Sequence, residues 1–359
     1  MNLVELGDIC TMKYGKMLPE DMAADEGFPV YSGYRITGYS REFIYKEPML
    51  LVVARGVGGT GDVKIAPPNA WITNLSIVLE LDDSKVNKKY LCYLLNRESL
   101  KDKLNSGAAQ AQITIDSLSK YRIQLPDLGQ QIKTADFIQT YDDLIENNLR
   151  RIQLLEESAR LLYQEWFVHL RFPSHEQVKI TDGVPEGWSC SPVDSLLGKV
   201  QKKKKVKKEE YLEAGLIPCI DQSQDFIGGY IDDEEAAITE NLPIVVFGDH
   251  TRIVKFIDFP FAPGADGTQL LIPNDDEMPR EFFYFMISSI NVANAFYARH
   301  FKFLKTTNVL VPEKRLMIDF STFVGDNMRQ IKLLRNQNRS LAQARDLLLP
   351  KLMCGELTV

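Results

Sequence analysis

A run of glycines, Gly56-Val57-Gly58-Gly59-Thr60-Gly61, spells G-x-G-x-x-G directly behind the apolar stretch Leu50 to Val53. Glycines in that order can cradle a pyrophosphate where a strand gives way to a helix N-terminus. Here the next residues, Asp62-Val63-Lys64-Ile65-Ala66, continue as strand, so a hairpin turn is expected rather than a dinucleotide site. A phosphate loop of the Walker type fails as well, because Asp62 and Val63 stand where Lys and Ser or Thr are required. What remains is Arg55 at a strand-to-loop edge. Its guanidinium could read a guanine or grip a phosphate, or be an ordinary exposed strand-end arginine.

The other reactive side chains form no catalytic pattern. Adenine methylation needs a glycine-rich cofactor loop on a Rossmann-like unit and its own tetrapeptide motif, and neither is found. The acidic runs Asp232 to Glu235 and Asp275 to Glu277 fall in polar loops, where solvated charge is the simpler reading than metal binding. His169, His175, His250 and His300 lack the partners of a catalytic triad. Cys10, Cys92, Cys190, Cys219 and Cys354 are scattered singly, with no C-x-x-C pair, and read as reduced thiols. No catalytic residue and no metal site are therefore expected.

Charge is unevenly spread. The net charge is -7, yet Lys199, Lys202, Lys203, Lys204, Lys205, Lys207 and Lys208 fall within ten residues. Such a run is either a solvated loop or a phosphate-binding face. No apolar run approaches the length of a membrane span, and MNLVELGDIC carries no signal-peptide pattern, so a cytoplasmic location is expected.

The elements that would position these residues occur twice. The strand-like YRIQLP ending at Pro126 recurs as NVLVP ending at Pro312, 186 positions later. LLVVARG (Leu50 to Gly56) is matched by PIVVFGD (Pro243 to Asp249), and FPVYS (Phe28 to Ser32) by IPCID (Ile217 to Asp221). This order implies a duplicated α+β domain, a curved sheet carrying a helix, with the helical stretches at Asn87 to Asn105 and Pro279 to Phe296.

A longer helical pattern follows each copy. Ile138, Tyr141, Ile145, Asn148, Ile152, Leu155, Ala159, Leu162 and Trp166 alternate three and four residues apart, and Val324, Asn327, Ile331, Leu334, Asn338, Leu341, Arg345, Leu348 and Leu352 repeat the register. Pro350 is expected to end the second helix before Leu352. Two helices of roughly 35 residues, on the order of 50 Å each, suit spacers better than one globular core. An antiparallel intrachain coiled coil is the simplest closure and would make the molecule nearly two-fold symmetric. The resulting segments are 1–126, 127–172, 173–312 and 313–359.

Polar and basic residues gather in corresponding loops of the two copies, which marks them as candidate DNA contacts. In the first they are Lys13, Tyr14, Lys16, Tyr31, Ser32, Tyr34, Arg35, Arg55, Gln110 and Gln112. In the second they are Lys202, Lys203, Lys204, Lys205, Gln222, Ser223, His250, Thr251, Arg252, Thr268, Arg299, His300 and Lys302. Lysines and backbone amides would hold phosphates, while Arg, Gln, Ser, Thr and His side chains could read base edges.

The segments RRIQLLEESARLLYQEWFVHLRFP (Arg150 to Pro173) and QARDLLLPKLMCGEL (Gln343 to Leu357) are similar to the central and C-terminal conserved regions of type I restriction-modification specificity subunits. The opening ELGDIC, VPEGW at Val184 to Trp188, and the duplicated plan extend the resemblance over essentially the whole chain. It implies two target recognition domains, each reading one short half of a bipartite asymmetric site in double-stranded DNA and held apart by the paired helices. It also implies two modification subunits docked on the helical regions, with restriction subunits joining them. S-adenosylmethionine, ATP and magnesium would then be bound by those partners and by no site on this chain. The lysine run has no equivalent in the first copy, so the half-sites should differ. A duplicated scaffold that binds only proteins is the alternative, separable by salt-dependent DNA binding. S-adenosylmethionine binding by the isolated chain would favour a stand-alone methyltransferase.

Overall fold

The computed structural model describes residues 1–33, 35–56, 59–105, 111–201, 203–291 and 299–359. They divide into two compact units, residues 1–147 with 337–359, and residues 148–336.

In the first unit the strands are β1 (Asn2–Glu5), β2 (Cys10–Tyr14), β3 (Ala23–Ala24), β4 (Phe28–Ser32), β5 (Arg35–Ser40), β6 (Met49–Val53), β7 (Val63–Ala66), β8 (Trp71–Ile72), β9 (Ser76–Leu81) and β10 (Arg122–Leu125). They form sheets of order β2-β9-β6-β7 and β3-β5-β4-β8, with β1 and β10 paired separately. The valine-rich β6 is buried on both faces, which explains its unbroken apolar sequence. Leu50 and Val52 point into one core with Tyr90, Leu91, Leu94 and Leu95 of α1 (Lys88–Arg97). Leu51 and Val53 point into a second core with Tyr31 and Ile72. Asn87 starts α1 by accepting the Tyr90 amide, which satisfies one of the helix's otherwise unpaired donors. Two short helices follow, α2 (Leu100–Leu104) and α3 (Ile115–Ser119). Gly56, Gly59 and Gly61 lie in the connection between the antiparallel pair β6 and β7, where a hairpin turn is expected. Gly61 has φ +94°, and a Cβ there would lie 2.7 Å from the Lys101 amide, so both conformation and space require glycine.

Helix α4 (Leu128–Tyr163) begins at Asp127, whose carboxylate accepts the Gln130 amide at 3.0 Å. It ends in one wider turn, Gln164–Val168, that buries Trp166 and Phe167.

The second unit holds β11 (Ile180–Thr181), β12 (Val184–Pro185), β13 (Ser189–Pro192), β14 (Ile217–Ile220), β15 (Gly229–Ile231), β16 (Ile244–Gly248), β17 (Val254–Ile257), β18 (Ala262–Pro263) and β19 (Thr268–Leu271). These are followed by α5 (Arg280–Ser289), α6 (His300–Thr306), β20 (Asn308–Val311) and α7 (Lys314–Met353). Its pairings repeat those of the first unit. The antiparallel pair and parallel partner of β4 (β5 and β8) recur on β14 as β15 and β18. The antiparallel neighbours of β6 (β7 and β9) recur on β16 as β17 and β19. The pair β1–β10 recurs as β13–β20. Strand β16 also divides its residues between two cores, Val245 and Phe247 facing α5 and Ile244 and Val246 facing the other side.

Within each unit α4 and α7 run antiparallel. In the first, Ile138 is fully buried, Asn338 donates to the Ile145 carbonyl at 3.4 Å, and Leu341 and Leu348 are half-buried. In the second, Ile152, Ile331 and Leu334 pack together with Leu155, Val324 and Asn148 are buried, Leu162 packs on the aromatic core, and Asn327 donates to the Leu155 carbonyl at 3.4 Å. The expectation that Pro350 ends α7 is corrected: the helix continues to Met353. A proline so close to the end removes one backbone donor, and burial of Leu352 and Met353 against the protein holds the last turn.

Candidate nucleic-acid interface

In the first unit the segment Thr73 to Ser76, between β8 and β9, ties together the ends of four strands. Gly15 donates to the Ser76 carbonyl, Ala54 and Arg55 to Leu75, and Thr73 to Tyr31. The Ser32 hydroxyl accepts from Thr73 at 3.1 Å, and the Arg55 guanidinium reaches the Asn74 carbonyl at 3.4 Å. Lys16, its backbone held by Trp71 and Ile72, exposes its side chain beside them. Gln112 bridges to Arg55 and is held by Asn105. Arg35 opens β5 opposite Ser32 and is exposed. Lys13 and Tyr14 sit on β2 at the surface, with Lys13 paired to Glu80.

The second unit builds the same edge from other side chains. Asp249 donates to the Gly267 carbonyl at 2.7 Å as Ala54 does to Leu75, and His300 donates to Asp249 at 2.9 Å as Ile113 does to Ala54 at 2.8 Å. Gln222 is the staple: its amide donates to the Asp266 carbonyl at 2.9 Å, its side-chain oxygen accepts the His250 amide at 3.0 Å, and its carbonyl accepts the Thr251 hydroxyl at 2.7 Å. Ser223 donates to Asp221 at 2.5 Å, and Arg252 is exposed with φ +62°. A recess of about 350 Å³ beside this edge is lined in part by Arg299, Lys302, Lys305 and Asp249.

Beneath the edge, Lys255 is buried 3.8 Å from Asp221. Burial pushes the Lys255 ammonium below its ordinary value. Burial also pushes Asp221 up, but hydrogen bonds from Ser223 and the nearby ammonium outweigh it, leaving its carboxyl below the usual range.

These edges place exposed arginine and lysine side chains, and half-buried glutamine and serine side chains, on a hydrogen-bonded backbone, the chemistry that reads base edges and grips phosphates. A family model described as type I restriction modification DNA specificity domain matches residues 1–157. The type I restriction enzyme MjaIX specificity subunit of Methanocaldococcus jannaschii is 24% identical over 377 residues, covering 95% of this chain and 86% of that protein. The chain is thus similar along most of its length to type I restriction-modification specificity subunits, and its first 157 residues match that family's model. The HindI specificity subunit of Haemophilus influenzae is 37% identical over 73 residues, 20% of this chain and 16% of that one. In fold, the S subunit of a type I system from M. genitalium matches with a TM-score of 0.62 at 18% identity, covering 98% of this chain and 95% of that one.

Three residues expected as DNA contacts are buried instead. Tyr31 points into the core below β4, because alternate residues of a two-faced strand must face inward. Thr268 is fully buried on β19, its hydroxyl without a hydrogen-bond partner among the described residues. His300 opens α6 with its ring buried, so its backbone amide makes the contact to Asp249. The lysine run is also partly committed: Lys205 donates to the Thr268 carbonyl at 2.6 Å, Lys203 to the Glu235 carbonyl at 3.0 Å, and Lys204 pairs with Glu210 at 3.4 Å. Tyr34, Gln110 and Lys202 lie outside the described residues. Sequence reading missed Asn74 and Thr73, which carry no charge to signal them, and Lys305, whose basic neighbourhood around Lys302 could have done so. No described helix is long and apolar enough to cross a membrane.

Proposed function

We propose that this chain is a specificity subunit that reads a bipartite, asymmetric DNA site, one half with each of the two edges, on behalf of partner subunits that perform the chemistry. The observation that carries this reading is that the same strand ends, joined by equivalent backbone bonds, present different polar side chains in the two units. Two modification subunits would bring S-adenosylmethionine, and restriction subunits ATP and magnesium. On α4, Leu154 and Leu161 stand exposed seven residues apart, an interval that places them on one helical stripe and suits a docked protein. In this reading α4 and α7 measure the gap between half-sites.

Inserting four helix-forming residues between Asn148 and Leu149 tests it. The insertion adds about one turn, roughly 6 Å at 1.5 Å per residue, against about 3.4 Å per base pair of duplex. The spacer is expected to grow by one or two base pairs with both half-sites unchanged, read by mapping methylated adenines in cells carrying the chain and its modification subunit. An active variant with the original spacer overturns the ruler. Binding that does not weaken with salt would favour a protein-only scaffold.

A further inference from the structure

Each unit contains one place where an arginine of α7, a carboxylate of α4 and an aromatic side chain of the sheet domain meet. In the first unit the phenol of Tyr93, on α1, donates to one oxygen of Asp142, while Arg345 donates to the other at 2.6 Å. In the second unit Arg335 donates to Glu156 at 2.7 Å, and its guanidinium lies 3.7 Å from the centroid of the Phe226 ring. Tyr284, on α5, faces the same pair. Further along α7, Lys332 reaches Asp258, in the turn after β17, at 2.8 Å.

The charged groups at these junctions are partly desolvated, the Arg335 and Glu156 side chains remaining 31% and 43% exposed and those of Arg345 and Asp142 29% each. Desolvation pushes Glu156 up and Arg335 down, and burial together with Asp142 pushes Tyr93 up. Even partial desolvation of charge has a cost that an apolar contact avoids, so directional pairs of this kind suit fixing geometry more than supplying adhesion. The two junctions use different bonds for the same connection, a phenol-to-carboxylate hydrogen bond in one and an arginine–aromatic stack in the other. Both are directional, and each joins a sheet domain to both long helices of its own unit.

We propose that Arg345–Asp142–Tyr93 and Arg335–Glu156–Phe226 are positioning sites that fix the angle of each recognition domain on the helix pair and so set how strictly the subunit demands its spacer length. This rests on the bipartite reading above. None of these residues lies on the proposed reading edges, so base preference should be independent of them.

The test uses the full chain assembled with its modification subunit and duplexes carrying both half-sites at the native spacing and at one base pair more or fewer. Tyr93→Phe removes only an oxygen and Phe226→Leu removes the stacking face. Each is expected to lower the ratio of methylation at native spacing to that at altered spacing by about ten-fold, the equivalent of one hydrogen bond to a charged group. The half-site bases should stay the same, and Asp142→Asn should act like Tyr93→Phe. Arg335→Lys should rescue only partly, since the ammonium keeps the charge and loses the planar stack. Unchanged spacing ratios in folded variants overturn the positioning role while leaving the bipartite reading intact. A wild-type complex indifferent to spacing overturns both.

Discussion

The outer edge of the central sheet differs between the two units. In the first, β2 runs along β9 for five residues, from Cys10 opposite Leu81 to Tyr14 opposite Ile77. In the second, Leu197 makes a single bridge to Pro273, and the chain then leaves as the lysine-rich segment, touching the sheet again where Val206 bridges to Gly264. The Thr268 carbonyl on β19 receives a lysine ammonium from Lys205. A buried edge carbonyl needs a donor, but the fold does not dictate whether backbone or side chain supplies it. The pairing plan is therefore shared, and the edge is where the copies diverge, which places a run of lysines on the second unit alone.

The comparison can be broken most severely at its common part. Leu50→Ala in β6 and Phe247→Ala in β16 remove side chains at most 2% exposed, and each should cost about 2–5 kcal/mol of its unit's stability in denaturant unfolding. A large effect in one unit and none in the other would mean that equivalent strands do not carry equivalent cores.

The lysine segment sharpens the contrast. Replacing Lys203, Lys204, Lys205, Lys207 and Lys208 by alanine should weaken DNA binding without altering sequence preference, and lower the salt slope by about 0.9 for each phosphate no longer neutralised. Lys205→Ala alone should also destabilise the second unit, because it strips a donor from the Thr268 carbonyl, whereas Lys207→Ala should change only binding. An unchanged salt slope in the full variant would reduce the run to a solvated loop. The smallest effect is expected at Thr268→Val. A buried hydroxyl without a partner contributes little, so unfolding should shift by less than about 1 kcal/mol, in the stabilising direction, with DNA binding intact. Loss of binding on this substitution would restore Thr268 as a DNA-reading residue.

Much of this architecture is legible without coordinates. The matched strands FPVYS and IPCID, LLVVARG and PIVVFGD, and YRIQLP and NVLVP occupy equivalent pairings, and the middle pair is the most conspicuous because a strand buried on both faces is apolar throughout. The seam residues of the long helices are buried or half-buried for the same reason, since a three-four alternation leaves one face for the partner helix. The end of α7 is not legible from Pro350, which lies where only one backbone bond is lost and where the buried Met353 outweighs it.

The reading edges were less legible. Residue type alone cannot separate Ser32, at the strand end, from its buried neighbour Tyr31, or the exposed Arg299 from the buried His300. Sequence by itself determined the duplication, the two long helices and the divergence of the lysine run, because these follow from local periodicity and composition. Only tertiary structure decided that Gln222 is a staple, that Lys205 completes a sheet edge, and that Tyr93 and Phe226 meet the helix pair. Each of those roles depends on a partner 44 or more residues away in the chain, such as Asp266, Thr268, Asp142 or Arg335, and no local pattern encodes such a distance.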